Sequence, residues 1–269
     1  MPMDRLQKKQ VKALHREFMA LQRKEDRMMN AAVKARRPGW KKALEEKVPP
    51  KVYAGLHSAF AKGFELVFLH GRKVIELTYK KERIAEGHAS RTAGFEASGS
   101  RKEMKQLHKG AAKAGSLNMA MTTVEGIGLG ALGIGMPDIV LFLTTVLRGV
   151  YETALYYGFE YESKYEQMLI LKMMAASLSS GSDWFARNRQ INDWLLAGER
   201  SVTQEELAEQ IRDTAAVFAV DMLLLKFIQG LPVVGILGGA ANPLYYHKIT
   251  AYTQLKYRRR YLLARQEKL

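Results

Sequence analysis

The chain has 269 residues, 47% of them hydrophobic and 26% charged, a composition that belongs to a folded protein and excludes a disordered one. It holds no cysteine, which removes disulfides, thiolate metal sites and a cysteine nucleophile together. The net charge of +15 is unevenly placed: residues 1–50 hold 14 basic and 6 acidic groups, residues 51–120 hold 13 and 6, and residues 121–269 hold 15 of each. The whole excess therefore lies in the first 120 residues, which points to a polyanionic partner, either a membrane surface or nucleic acid.

Taken in chain order, the first 30 residues carry charges every two or three positions. They contain no apolar run of the kind a signal peptide needs, so the start of the chain has a cytoplasmic character. Val11, Leu14, Phe18, Leu21 and Met28 recur at steps of three, four and seven, which predicts a long helix with one apolar stripe and a basic opposite face. Such a helix packs on the body of the protein or lies on a membrane. "RRPGW" at 36–40 ends it, which divides the chain into an N-terminal helix, 1–39, and a helical domain, 40–269. A second helix starts at Pro49–Pro50, with Val52, Leu56, Ala59, Phe60, Gly63 and Val67 on its inner face. Residues 85–116 are rich in Gly, Ser and Lys, and predict a mobile basic loop with at most a short helix.

The stretch "GIGLGALGIG" (126–135) contains a literal G-x-G-x-x-G at Gly128, Gly130 and Gly133, with Glu152 at about the spacing of a ribose-binding acid. That fingerprint needs a strand before it and a βαβ unit around it. "MAMTTVE" is a poor strand and no later segment supplies parallel partners, so the glycines read as a helix-packing device. Beyond them, Pro137 and Asp138 open a helix that Gly158 caps. Two more helices follow, the second opening at Ser182 or Asp183. Thr203 and Glu206 form a capping box for a helix over 204–229, closed by Gly230 and Pro232. The last helix starts at Pro243 and runs to Gln266.

No segment alternates as a strand does, so the predicted class is all-α: a multi-helix bundle with two glycine-rich helical hairpins. Gly126/Gly130 and Gly235/Gly239 are both G-x-x-x-G pairs, which let helix backbones approach closely. Together with Gly133 they are the expected residues of hairpin packing or membrane contact. Eleven large apolar residues between 127 and 147 favour bilayer insertion by about 5–6 kcal/mol. Asp138 removes about 3 kcal/mol of that, and the glycines and Pro137 weaken the helix further. Shallow insertion or protein packing is expected there rather than an ordinary span.

The six histidines show no metal-ligand spacing, so no metal site is expected. There is no G-x-S-x-G elbow and no Walker sequence, and no cofactor is implied. What remains is a set of polar groups among apolar helices: Asp138, Arg148, Glu152, Asp221 and Asn242. They either cap helices and pair with one another, Arg148 with Glu152 at i, i+4, or line a polar pocket between the hairpins. "YRRRY" (257–261) reads as a helix end whose arginines complement the dipole. With no helix-turn-helix, zinc knuckle or RNP-like element, nucleic acid explains less of the sequence than lipid does.

Three segments carry a resemblance: "VPPKVYAGLHSAFAKG" (48–63), "GMPDIVLFLTTVLRGVYETALYYGFEYES" (135–163) and "LLKFIQGLPVVGILGGAANPLYYHKITAYTQLKYRRR" (224–260). They resemble the EcsC family of bacterial proteins, over most of residues 40–260 and in the family's order. The resemblance implies no established reaction. It implies a setting near a membrane transporter, because the founding member lies in an operon with an ABC exporter. A more distant likeness is to the helical membrane-associated domain found with some Era-like GTPases. The expected function is therefore peripheral association with anionic lipid at the cytoplasmic face of the membrane, accessory to a transport or envelope process. The alternatives are a hydrolase-like enzyme acting on a lipid or peptide in the polar pocket, and an adaptor of a membrane protein complex.

Overall fold

A computed structural model describes residues 4–35, 48–120, 137–229 and 241–269. Among these residues there are ten α-helices and no strand, as the absence of period-two patterning predicts. The helices are α1 Arg5–Lys34, α2 Pro50–Leu66, α3 Arg72–Glu76, α4 Lys81–Ser98, α5 Arg101–Ala120, α6 Pro137–Tyr156, α7 Lys164–Leu178, α8 Gly181–Ala197, α9 Gln204–Gln229 and α10 Ala241–Gln266. A π-helical turn, Val67–Gly71, joins α2 to α3.

Local chemistry sets most of the boundaries. Asp4 and Gln7 form a reciprocal capping box at the start of α1: the Gln7 N–H donates to Asp4 Oδ1 at 2.7 Å, and the Asp4 N–H donates to Gln7 Oε1 at 3.0 Å. Thr203 and Glu206 do the same for α9, at 2.9 and 3.1 Å, as expected. Helix α6 ends in a Schellman turn: Gly158, at φ +81°, donates to Leu155 O, and Phe159 donates to Ala154 O. Helix α8 starts earlier than predicted, at Gly181, with Ser180 as N-cap and no side-chain cap bond. Helix α10 likewise starts at Ala241 rather than at Pro243.

The core is built around α6, α7 and α10. Twelve of the fifteen residues of α7 are buried, so this helix is enclosed on all sides and its apolar sequence has no solvent face to reserve. Helix α10 packs against α1, α5, α6, α7 and α8, while α9 packs against α2 and α7. Phe60, Phe64, Phe142, Phe218 and Tyr245 tie α2, α6, α9 and α10 together, with ring centroids 5.3–6.3 Å apart. By length and composition, Ile139–Tyr156 of α6 could cross a membrane, with a mean hydropathy of 1.3, and 72% of that window is buried inside the protein.

The expectation of a mobile loop over 85–116 is corrected by the structure. Helices α4 and α5 occupy that stretch, separated at Gly99 (φ +62°). Thr92 and Phe95 on α4, and Met104, Leu107 and Ala111 on α5, are buried. Those few anchors at helical spacing outweigh the poor helix propensity of the surrounding glycines and serines.

The stripe predicted for α1 is rotated. Leu14 and Leu21 are buried and Phe18 and Met28 partly so, but Val11 is 41% exposed. The buried face instead runs through Gln10, Ala13, Leu14, Glu17, Leu21, Glu25 and Ala32, two of which are carboxylates.

Candidate functional site

Those two carboxylates determine how α1 is attached. Glu17 is 1% exposed and pairs with Arg101 of α5 and Arg258 of α10, with His108 Nε2 at 3.2 Å. Glu25 accepts from Lys256 Nζ at 2.7 Å, from Asn188 Nδ2 at 3.0 Å and from Arg259. A third buried acid, Glu166 of α7, accepts from Tyr257 Oη and Arg260 Nη1, each at 2.6 Å. The arginines of "YRRRY" therefore do not merely complement the dipole at the helix end. Helix α10 continues to Gln266, and Lys256, Arg258, Arg259 and Arg260 reach three interior carboxylates. A sequence signal for this exists: Lys256 shares a helix face with Tyr245, Ile249 and Tyr252, and Glu17 and Glu25 fall at helical spacing from Leu14 and Leu21.

Burial pushes the Glu17 carboxyl up, but His108, Arg101 and Arg258 outweigh it and hold the pKa at about 2. Glu25 is likewise pushed up by burial and brought down to about 2, chiefly by the Lys256 charge. Because both folded values lie below the ordinary 4.5, the stability these pairs supply is complete above that pH. It is lost as pH falls from there towards 2. Each should contribute about 3 kcal/mol, opposed in part by Glu166, whose pKa burial raises. Urea unfolding at stepped pH is expected to show this decline, and Glu17→Gln is expected to flatten it.

With both acids turned inward, the outward face of α1 is left with one sign of charge. Its exposed positions include Arg5, Lys8, Lys9, Lys12, Arg16, Arg23, Arg27 and Lys34 and no acidic residue, Asp26 being half-buried. Val11, Met19 and Val33 are exposed beside them.

The second feature is a cleft of about 690 Å³ between α7, α8 and α9. Lys172 of α7 lies at its base, 8% exposed, donating to Gln210 Oε1 at 2.9 Å and Gln190 Oε1 at 3.3 Å, and 5.0 Å from the Trp194 ring centroid. Burial lowers its pKa, with Asp213 acting the other way. Arg187 binds Asp213 through two parallel hydrogen bonds of 2.5 and 2.7 Å. At the mouth, Arg200 covers Trp194 at 4.4 Å and pairs with Glu206 at 3.1 Å. This cleft has no counterpart among the sequence expectations. Its signal was nonetheless present: Asp183, Arg187, Gln190 and Trp194 recur at helical spacing on α8, as do Glu206, Gln210 and Asp213 on α9.

The residues predicted to form a pocket fare differently. Arg148 and Glu152 pair at 3.0 Å along α6 as expected, and neither lines the cleft. Asp221 borders a smaller cavity of about 210 Å³ with Asp183, Arg187 and Asp213. Burial raises its pKa, while the Lys248 charge and the Tyr245 hydroxyl act the other way. The side chains of Asp138 and Asn242 lie outside the described residues, as do Gly126, Gly130, Gly133, Gly235 and Gly239. Among the described residues no group of three or more His, Asp or Glu side chains is placed to hold a metal ion.

A model of the EcsC protein family matches residues 10–262. The chain belongs to the EcsC family. The match runs from within α1 to the last turns of α10, so in this EcsC protein the helix carrying Glu17 and Glu25 and the helix carrying their partners both fall inside it. No curated protein and no solved structure matches the chain.

Proposed function

We propose that this EcsC-family protein associates peripherally with anionic membrane at its cytoplasmic face, through the outer face of α1. The observation that supports this reading is the run of eight exposed basic residues with no exposed acid between Arg5 and Lys34. A 30-residue helix is about 45 Å long, so those charges form a strip rather than a pocket. A strip suits a surface of lipid headgroups. Each Lys or Arg near such a surface contributes about 1 kcal/mol, and Val11, Met19 and Val33 add apolar contact at the headgroup boundary. In this reading the apolar segments around Gly126–Gly133 and Gly235–Gly239 insert shallowly, and the protein serves a transport or envelope process.

The test is co-sedimentation with phosphatidylglycerol-containing vesicles and with neutral phosphatidylcholine vesicles. The protein should sediment with the anionic vesicles at low salt and be released as salt rises. Lys12→Gln with Arg16→Gln should weaken binding about 10- to 30-fold, from roughly 1 kcal/mol per charge. Failure to sediment with anionic vesicles at low salt would sink the reading. Preferential retention by duplex DNA would reassign the strip to nucleic acid.

A further inference from the structure

The cleft between α7, α8 and α9 has a charge arrangement that the packing of the three helices leaves incomplete. Lys172 is a buried ammonium whose hydrogen bonds go to two neutral amide oxygens. The orientation of Gln210 is fixed, because its Nε2 donates to Asp213 at 3.0 Å and to Thr214 at 3.2 Å, so its oxygen must face the lysine. Among the described residues no carboxylate pairs with Lys172: Asp213 is held by both guanidinium nitrogens of Arg187, and Glu206 by Arg200. A buried cation with only neutral partners costs stability, and an incoming anionic group would remove that cost.

The remaining lining carries more acid than base: Asp183, Glu206, Glu209 and Asp213 against Arg187 and Arg200. Glu206 and Glu209 stand on α9 at the open side, Glu209 exposed to solvent and Glu206 paired with the exposed Arg200. A simple anion would satisfy the base of the cleft and be repelled at its mouth. A simple cation would meet the reverse.

We infer that the cleft binds a small zwitterion, its anionic group on Lys172 between Gln190 and Gln210 and its ammonium group towards Glu206 and Glu209. Two sources share that chemistry, free α-amino acids and the phosphoethanolamine headgroup of a lipid. The site is independent of the α1 strip, because it lies on other helices.

The experiment follows the indole N–H resonance of Trp194 in the full-length protein, assigned through Trp194→Phe. The probes are glycine, glutamine, phosphoethanolamine, inorganic phosphate and ethanolamine, each up to millimolar concentration. A saturable shift is expected with a zwitterion and not with phosphate or ethanolamine alone, and the responding zwitterion identifies the source. Lys172→Met, which keeps length and apolar packing, should weaken binding at least tenfold. Glu209→Gln, at an exposed position, should weaken it severalfold without altering unfolding. Equal binding of phosphate with no effect of Glu209→Gln would overturn the inference in favour of a plain anion site. Binding of ethanolamine as tight as that of the zwitterions would overturn it in favour of a cation site. No saturable shift with any probe would overturn it outright.

Discussion

Replacing Glu25 with alanine is expected to destabilise the protein by about 3–5 kcal/mol, a fall in melting temperature on the order of 10 °C for a chain of this size. The reason lies in the partner rather than in the glutamate. Lys256 is 0% exposed and donates to Glu25 at 2.7 Å and to Asn192 Oδ1 at 2.8 Å. Burial already pushes its ammonium pKa down to about 8, so at neutral pH it is still charged. Without Glu25 that charge keeps one amide oxygen and the Tyr252 ring, 5.2 Å away. Glu25 is also what holds that pKa up, so the fold then bears either the desolvation of an ion with only neutral partners or the cost of removing its proton. Adding Lys256→Met to Glu25→Ala should recover most of the loss, because the offending charge is then absent. Guanidinium unfolding of the single and double variants measures this directly. A Glu25→Ala cost below about 1 kcal/mol would mean that the pair behaves as a screened surface pair.

Gly158→Ala should cost about 2–4 kcal/mol, for two reasons that add. Gly158 adopts φ +81°, where a Cβ is strained whatever surrounds it. A Cβ there would also overlap the His88 imidazole, standing 2.7 Å from its Cε1. The ring has little room to yield: its Nδ1 lies 3.0 Å from Tyr156 O, and it meets Tyr261 edge-on at 5.9 Å. In a His88→Ala background the cost of Gly158→Ala should fall to about 1–2 kcal/mol, the backbone share alone. Equal costs in both backgrounds would show that the ring moves aside freely. This glycine ends α6 and also admits α4 close to it, so one residue sets both a cap and an interhelical distance.

The features legible in the sequence have local causes. The capping box at Thr203–Glu206, the cap at Gly158, the inner face of α2 and the i, i+4 pair of Arg148 and Glu152 each depend on residues within a few turns of each other. Composition misleads at 85–116, because glycine and serine lower helix propensity while a few buried anchors decide the outcome. The resemblance of the middle and last segments likewise requires only order and spacing along the chain, and the family match bears it out.

The charges are a different matter. Glu25 and Lys256 are separated by 231 positions, and Glu17 and Arg258 by 241. No periodicity can distinguish an arginine that ends a helix from one that reaches an interior carboxylate. The same holds for Lys172, which along α7 is one polar residue in an apolar run. Its role depends on Gln190 and Gln210 arriving from two other helices, and on Asp213 being taken by Arg187. Helices, caps and family membership are thus written along the chain, because backbone hydrogen bonding and side-chain period act over a few residues. Which charges are buried and paired, and hence which surface of α1 and which cleft are left to meet a partner, emerges from the packed helices alone, because electrostatic pairing depends on distance in space and not along the chain.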